Sequence, residues 1–383
     1  MKILILNYEY PPLGGGAGVV SQYHAKGLAE KGHNVTVIST WYKGEAEIET
    51  KNNLKIVRLK SKRRFIYKSN PIEMLSWVFH AIKYLKSKTE INYDLCLSHY
   101  AIPGGLVAYF LKLKYKIPYI IISHGEDIPF LNKKVMLKYH IFTYYFLKLI
   151  FANSLNNIVL TNYLKLKLDK FLKSGDKSIV IPNGSNEKLF FPDYSKRSKN
   201  FKIIYVGRLA DVKEPFVFLE AINMLSKRNI EFTVNILGDG PLKEKAENYV
   251  KKNNLSEIIK FKGWISKEEI AEEYQSSHMQ VISSRFEAFS ISALESLFSG
   301  VYILSTPVSG NTDIIKKGVN GDFYNFKDSF ILANKIENFY NTEFKNSYKI
   351  NEEFLENFRK MYSWNNIITQ YDKLLSEINT EKN

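Results

Sequence analysis

Two glutamates eight positions apart, Glu287 and Glu295, are the residues of this 383-residue chain whose placement best suits chemistry. Glu287 lies in the predicted turn after an apolar strand, Met279–Ser283, and Glu295 lies on the short predicted helix that follows. In an open α/β sheet, ligands bind at the carboxyl ends of strands, where the following turn offers N–H groups and a positive helix end. Glu287 is therefore a candidate for binding sugar hydroxyls, and Glu295 for binding the ribose hydroxyls of a nucleotide. The alternative is a pair of surface glutamates on an amphipathic helix.

Two cations, Arg208 and Lys213, follow another predicted strand, Lys202–Val206. Arginine and lysine side chains that converge on one point suit a diphosphate, because its charge is spread over several oxygens. The alternative is two solvated cations in a loop. A glycine turn after a further strand, Gly238–Pro241, is a weak signal by itself.

The first half of the chain has two further candidate loops. The glycine-rich segment Pro11–Gly18 precedes a predicted helix, Val19–Lys31, and would let the backbone approach a phosphate or sugar closely. It is a poor dinucleotide fingerprint, because the next strand ends without an acidic residue for the ribose. His124 and Asp127 follow a buried predicted strand, which is where an α/β domain presents its site residues.

Short apolar runs alternating with helical patterns predict buried parallel strands joined by crossover helices. The predicted strands are Lys2–Asn7, Val35–Thr40, Leu54–Leu59, Leu95–Ser98, Tyr119–Ser123, Asn157–Leu160, Ser178–Ile181, Lys202–Val206, Thr233–Leu237, Ile259–Phe261, Met279–Ser283 and Val301–Leu304. The alternation pauses at about residues 183–200. The sequence therefore predicts an α/β fold of two doubly wound domains, residues 1–182 and 183–363.

The composition is that of an ordinary globular protein, with 45% hydrophobic and 24% charged residues. The opening residues are too short an apolar run for the core of a signal peptide. A single cysteine, Cys96, fits a reducing compartment and lies in an apolar strand. These features predict a cytoplasmic protein.

Positive charge is concentrated in the first half. Residues 1–190 hold 28 Lys and Arg against 13 Asp and Glu, a net of +15, while residues 191–383 hold 26 of each. One-sided basic charge indicates an anionic partner, and the alternative is a lysine-rich background composition. The segment Lys133–Lys148 mixes lysines with aromatic residues, which is typical of a helix lying on an anionic membrane surface, although core packing would also use these aromatics.

Taken in order, these motifs resemble those of family 4 glycosyltransferases. The resemblance covers essentially the whole chain, from the glycine loop through His124-Gly-Glu-Asp127, Ile181-Pro-Asn-Gly184, Val206-Gly-Arg-Leu209 and Phe261-Lys-Gly263 to the two glutamates. It implies the GT-B architecture, in which two Rossmann-like domains face each other across a cleft. The first domain would bind the acceptor and the second the nucleotide-sugar, with a last helix, about 364–380, crossing back to the first.

The resemblance also implies roles for residues. Arg208 and Lys213 would hold the diphosphate, Glu287 would bind hydroxyls of the donor sugar, and His124 would contact that sugar. The other donor-binding residues would be Gly15, Gly16, Asp127, Gly207, Gly263, Trp264, Ile265, Phe289, Ser290 and Glu295. The reaction would retain the anomeric configuration and need neither metal nor cofactor, because the cation pair stabilises the leaving group.

The family resemblance predicts transfer from a nucleotide-diphosphate sugar to a saccharide or lipid-linked saccharide, in cell-surface polysaccharide or glycolipid synthesis. The basic first half makes the inner face of the cell membrane a candidate surface for peripheral binding. Ala288, Ser290 and Asp313 depart from the family pattern and bear on the fit of the donor. Two alternatives remain: a nucleotide-sugar epimerase of the same architecture, and a basic nucleic-acid-binding protein, which would leave both glutamates unexplained. No nucleic-acid partner is expected.

Overall fold

The computed structural model describes residues 1–66, 69–131 and 133–380, without the side chains of residues 133–136. It divides into two compact units. Unit 1 comprises Met1–Asn183 and Trp364–Asn383, and unit 2 comprises Gly184–Ser363.

Unit 1 is built on a sheet of eight strands within the described residues. Its strands are β1 (Lys2–Leu6), β2 (Asn34–Thr40), β3 (Ile48–Lys51), β4 (Leu54–Leu59), β5 (Leu95–His99), β6 (Tyr119–Ile122), β7 (Asn157–Val159) and β8 (Ser178–Val180). Their order in the sheet is β3-β4-β2-β1-β5-β6-β7-β8, and every pairing is parallel except that of β3 with β4. The strand order therefore reverses direction between β1 and β5.

Helices cover the sheet of unit 1. They are α1 (Gly16–Glu30), α2 (Pro71–Lys86), α3 (Gly105–Tyr115), α4 (Lys133–Asn153), α5 (Asn162–Leu172) and, at the end of the chain, α13 (Trp364–Thr380). Helices α2, α3, α4 and α5 contact one another in chain order and form one layer. The last four residues of β1 and all four residues of β6 are hydrophobic and buried, as expected for parallel strands buried on both faces.

Unit 2 repeats this plan with an all-parallel sheet. Its strands are β9 (Phe201–Val206), β10 (Phe232–Leu237), β11 (Ile259–Gly263), β12 (Met279–Ile282), β13 (Tyr302–Ser305) and β14 (Gly321–Phe323). Its helices are α6 (Pro215–Leu225), α7 (Lys243–Lys252), α8 (Lys267–Ser276), α9 (Ile291–Phe298), α10 (Ser309–Ile314), α11 (Ser329–Phe339) and α12 (Glu352–Met361). The order β11-β10-β9-β12-β13-β14 reverses direction between β9 and β12. The predicted α/β class with two doubly wound sheets is confirmed.

The C-terminal helix α13 packs against α1 within unit 1. The rings of Tyr23 and Trp364 stack with centroids 4.5 Å apart. A Cβ on Gly27 would lie 2.5 Å from the side chain of Ile368, so this glycine permits the close approach of the two helices. His33, just after α1, reaches Asp372 on α13 at 2.8 Å.

The structure corrects the predicted start of α1. The sequence predicts a loop through Gly18 and a helix from Val19, whereas the helix begins at Gly16. A Cβ at Gly18 would lie 2.7 Å from the carbonyl oxygen of Leu13, so the helix can begin here only because this glycine has no side chain.

Candidate functional site

The candidate cations and Glu287 lie in loops at the point where the strand order of unit 2 reverses. Arg208 and Lys213 follow β9, and Glu287 follows β12, the neighbouring strand across the reversal. Ligands of open α/β sheets bind at this position, at the carboxyl ends of the strands.

Lys213 and Glu287 form an ion pair through Nζ and Oε1. The hydroxyl of Ser284 donates a second bond to the same oxygen, Oε1, at 2.7 Å. The other carboxylate oxygen, Oε2, has no partner among the described residues. One oxygen is thus fixed by the protein, and the other can accept hydrogen bonds from a ligand.

Backbone contacts hold the two loops together. The N–H of Arg285 donates to the carbonyl of Val212 at 2.8 Å, and the Ser283 hydroxyl donates to the carbonyl of Lys213 at 2.7 Å. The guanidinium of Arg285 pairs with Glu214. The position of Lys213 therefore depends on the loop that carries Glu287, and the sequence did not reveal Arg285, Glu214 or Ser284 as its supports.

Arg208 lies on the same loop and its side chain is exposed. This loop is set against the turn after β10, because the N–H of Leu209 donates to the carbonyl of Asp239 at 2.9 Å. A Cβ on Gly238 would lie 2.2 Å from the carbonyl oxygen of Gly207, so the two turns fit only with a glycine at position 238. The turn Gly238–Pro241, which is only a weak signal in the sequence, thus positions the loop that carries Arg208.

Glu295 is 5% exposed on α9 and forms an ion pair with Lys267, the first residue of α8. Burial raises the pKa of the Glu295 carboxyl, and the Lys267 ammonium opposes that rise. Lys267 was missed by the sequence analysis. The only local signal is the capping box of Ser266 and Glu269, which marks the start of α8 without indicating a partner for its first residue.

Phe289 and Ser290 lead into α9, whose N-terminus is capped by the Ser290 hydroxyl, an acceptor for the N–H of Ala293 at 3.3 Å. Within the described chain, the N–H groups of Phe289 and Ser290 have no hydrogen-bond acceptor. Gly310 allows α10 to pack against this loop, since a Cβ there would lie 2.5 Å from the Cα of Phe289. Such free N–H groups beside a helix N-terminus suit an anion or a sugar oxygen.

Gly263, Trp264 and Ile265 lie at the carboxyl end of the edge strand β11. The carbonyl of Gly263 accepts from the N–H of Gly238 at 2.8 Å, which ties this turn to the turn after β10. The Trp264 side chain is 73% exposed, and Ile265 is half-buried. The predicted contact of this segment with a nucleotide base stays a prediction.

The candidate residues of unit 1 lie at the carboxyl ends of β1 and β6. Gly15 and Gly16 form the start of α1, and no atom lies within 4 Å of a Cβ built on Gly15. His124 is half-buried after β6. Asp127 is buried, accepts from the Ser123 hydroxyl at 2.7 Å and from a backbone N–H at 2.9 Å, and has a pKa raised by that burial. These bonds favour a structural role for Asp127 in its turn, and the donor contacts predicted for all four residues stay predictions.

Among the residues that the structure describes, no cluster of three or more His, Cys, Asp or Glu side chains is arranged to hold a metal ion. No helix among these residues is both long and apolar enough to span a membrane.

Known families match the chain over almost its whole length. The model described as Glycosyltransferase Family 4 matches residues 14–188, and that described as Glycosyl transferases group 1 matches residues 186–361. An uncharacterized glycosyltransferase of Methanocaldococcus jannaschii is 30% identical over 384 residues, covering 99% of each chain. The GalNAc-alpha-(1->4)-GalNAc-alpha-(1->3)-diNAcBac-PP-undecaprenol alpha-1,4-N-acetyl-D-galactosaminyltransferase of Campylobacter jejuni is 26% identical over 358 residues, covering 91% of each.

Solved structures share the fold. Sucrose-phosphate synthase from Thermosynechococcus elongatus aligns with a TM-score of 0.85 and 19% identity over 100% of both chains. Anabaena HepE in complex with UDP and glucose aligns with a TM-score of 0.77 and 16% identity, over 98% of this chain and 99% of that one. Fold and sequence together define an enzyme of the glycosyltransferase class with the GT-B fold. The chain belongs to glycosyltransferase family 4.

Proposed function

We propose that this glycosyltransferase moves a sugar, with retention of its anomeric configuration, from a nucleoside-diphosphate sugar to a saccharide or lipid-linked saccharide. The observation that carries the proposal is the Lys213–Glu287 pair at the strand reversal of unit 2, with Arg208 on the same loop. A cation for the diphosphate and a carboxylate for sugar hydroxyls lie side by side, as a nucleotide-sugar requires.

In the proposed step, the bond between the anomeric carbon and the diphosphate oxygen breaks, and the acceptor oxygen bonds to the same face of that carbon. The acceptor proton passes to the departing diphosphate. Lys213 has three N–H donors, so its ammonium can keep Glu287 and still bind a phosphate oxygen. Lys213 and Arg208 then stabilise the charge of the leaving group, and we propose that no metal ion is needed.

Glu287 would bind the donor sugar through Oε2, the oxygen that has no partner among the described residues. The N–H groups of Phe289 and Ser290 would add bonds to the donor. Glu295 would bind the ribose hydroxyls. The UDP named with Anabaena HepE supports a nucleotide donor of this kind.

A panel of UDP-, GDP- and ADP-sugars tests the proposal. A bound donor raises apparent stability by about 2.7 kcal/mol at a hundredfold excess over its Kd, which a thermal shift detects. The donor that stabilises the protein is then used in the transfer reaction. NMR of the glycoside formed should show that its new bond has the same anomeric configuration as the sugar in the donor. Inversion would refute retention, and interconversion of free nucleotide-sugars without transfer would indicate an epimerase. Binding to random oligonucleotides without any donor shift would favour the nucleic-acid alternative.

The acceptor part of the proposal includes peripheral binding to an anionic membrane, supported by an exposed apolar surface of unit 1. Ile141, Phe142, Tyr145, Phe146 and Leu149 recur at three- and four-residue intervals, so they share one side of α4. Phe142 is 84% exposed and Tyr145 is 82% exposed. Soluble monomers rarely expose a continuous apolar patch of more than a few hundred Å².

Neighbouring helices extend this surface, which we call the helical face: the exposed side of α2, α3, α4 and α5. Phe79 on α2, Leu113 on α3 and Leu166 on α5 are also exposed. The sequences of these four helices hold eleven lysines and only two acidic residues, Glu73 and Asp169. Apolar side chains among lysines fit an anionic leaflet, each lysine near the surface contributing about 1 kcal/mol. The printed name of the Campylobacter jejuni relative, which includes PP-undecaprenol, supports a lipid-linked acceptor.

Vesicle flotation tests the helical face. The protein should float with phosphatidylglycerol vesicles and remain unbound with phosphatidylcholine vesicles. Replacing Phe142, Tyr145 and Phe146 with serine should abolish flotation, whereas Phe330→Ser, at an exposed phenylalanine of α11 in unit 2, should not change it. Unchanged flotation of the triple variant would refute this surface, and a dimer that the triple variant dissociates would assign it to a second copy of the chain. The variants do not include the lysines at 133 and 134, whose side chains lie outside the described residues.

A further inference from the structure

Three histidines form a hydrogen-bonded row inside unit 1: His24 and His99 are buried, and His124 is half-buried. His99 Nδ1 lies 2.9 Å from His124 Nε2, and His99 Nε2 lies 3.4 Å from His24 Nδ1. The ring planes of His99 and His124 are nearly parallel, with an interplanar angle of 16° and centroids 5.2 Å apart. His24 comes from α1, and the other two follow or end neighbouring strands, so distant parts of the sequence build the row.

The row is electrically neutral. Burial lowers the pKa of His24 and of His124 to about 3, and that of His99 well below its ordinary value. A neutral imidazole carries one proton on two nitrogens, so each ring donates through one nitrogen and accepts through the other. The direction of one bond therefore sets the direction of the next, and the three tautomers are coupled.

The surroundings of His24, at the end of the row away from His124, determine which nitrogen donates in each hydrogen bond. His24 Nε2 is buried without a hydrogen-bond partner among the described residues, and its ring packs against Tyr371 of α13 with centroids 4.3 Å apart. A buried N–H without an acceptor is a rarer defect than a buried acceptor without a donor. The His24 proton is then on Nδ1, which donates to His99 Nε2, and His99 Nδ1 donates to His124 Nε2.

We propose that His24 and His99 are positioning residues that hold His124 as the tautomer with its proton on Nδ1. This inference rests on the proposed function and on the contact between His124 and the donor sugar that the family resemblance implies. Within the described residues, His124 Nδ1 has no partner, and its ring is half-buried. His124 Nδ1 therefore carries a proton that it can donate to a sugar oxygen. Because the row fixes this tautomer, Nδ1 does not act as an acceptor. A fixed tautomer of this kind is what second partners of functional histidines commonly provide.

The tautomers can be read directly in the full-length protein labelled with ¹⁵N-histidine, by long-range ¹H–¹⁵N spectra at pH 7.5. The expected result is a protonated Nδ1 for His24, His99 and His124. A His124 with its proton on Nε2, or with averaged shifts of both tautomers, would overturn the proposal. This measurement needs no substrate. A fixed Nδ1 tautomer in a protein that transfers no sugar would refute the proposed function alone.

Two variants separate positioning from packing. His24→Phe keeps a ring against Tyr371 and removes both nitrogens; we expect averaged His124 shifts and a loss of about 10-fold in kcat/KM, the size of one hydrogen bond. His99→Asn places an amide where Nδ1 was and can still bond to His124, so it should retain more activity than His99→Leu. His80→Phe, on α2 outside the row, is the control and should leave both readouts unchanged. Equal activity of His99→Asn and His99→Leu, with unchanged His124 shifts in His24→Phe, would show that the row does not act on His124.

Discussion

Replacing Lys267 with methionine tests the contribution of an ammonium group that the sequence analysis did not identify. Methionine keeps most of the length of the lysine stem and removes only the ammonium. The variant leaves the Glu295 carboxylate, which is 5% exposed, without its ion-pair partner. A buried charge that loses its partner is costly, whereas the intact pair contributes little by itself.

The size and pH dependence of the effect follow from burial. Breaking a fully buried pair costs about 3–5 kcal/mol, but the Lys267 side chain is 43% exposed and water already screens it, so we expect a loss of about 1–2 kcal/mol at pH 7.5. The pKa of Glu295 is raised by burial even in the native protein, and loss of Lys267 raises it further. A carboxyl with a raised folded pKa adds most stability when it is protonated and loses that contribution as the pH rises through the folded pKa. The deficit of the variant should therefore be small at pH 4.5 and full at pH 7.5.

Urea denaturation of the native protein and the variant at both pH values measures this difference. Lys251→Met is the matched control, because Lys251 is an exposed lysine of α7 in the same unit and has no ion pair among the described residues. The control should change stability by no more than about 0.5 kcal/mol at either pH. A Lys267→Met deficit equal at pH 4.5 and pH 7.5, or no larger than that of the control, would refute the view that Lys267 compensates a buried charge.

Substitutions at four other positions test the candidate site and the packing of the two units. Glu287→Gln and Lys213→Met should each lower turnover by about 10²-fold, since each removes one preorganised charge; near-normal steady-state rates in both would contradict the site assignment. Gly310→Ala should destabilise unit 2 by about 1–3 kcal/mol in urea denaturation, because its Cβ meets loop backbone at 2.5 Å. Gly175→Ala, whose Cβ would lie 3.8 Å from its nearest neighbour, is the control and should be near neutral. Ile368→Ala should cost about 2–5 kcal/mol in the same assay, and a loss below 1 kcal/mol would indicate that α13 is loosely packed.

The interior strands could be predicted because strands buried on both faces consist mostly of apolar residues. All twelve predicted strands are present, each within two residues of its predicted ends. Two strands were missed for physical reasons. Every residue of β3 is exposed, so Ile48–Lys51 has no apolar run, and β14 has only three residues, one of them a glycine.

The position of the candidate residues at one edge of the sheet could be predicted, but the contacts among them could not. Arg208, Lys213 and Glu287 all lie in loops that follow strand ends, and parallel strands bring such ends to one edge of a sheet. The partners of Glu295 and His99 come from other segments: Lys267 is 28 positions from Glu295, and His24 is 75 positions from His99. No local pattern encodes such pairs, since they form only when separate loops and helices pack.

Positive charge can act in two physically different ways in this chain. In unit 2 cations lie against carboxylates, as in Lys213–Glu287 and Lys267–Glu295, so their fields act over a few ångströms on a bound group. The first half has a net charge of +15, and the proposed role of the lysines on its helical face is to attract an anionic partner at a distance. Exposed charges are screened beyond about 8 Å at physiological salt, while close and partly buried pairs are screened much less. Added salt should therefore release the protein from anionic vesicles at concentrations that leave donor binding nearly unchanged. Parallel loss of vesicle flotation and of donor-induced thermal stabilisation in one salt titration would refute this separation.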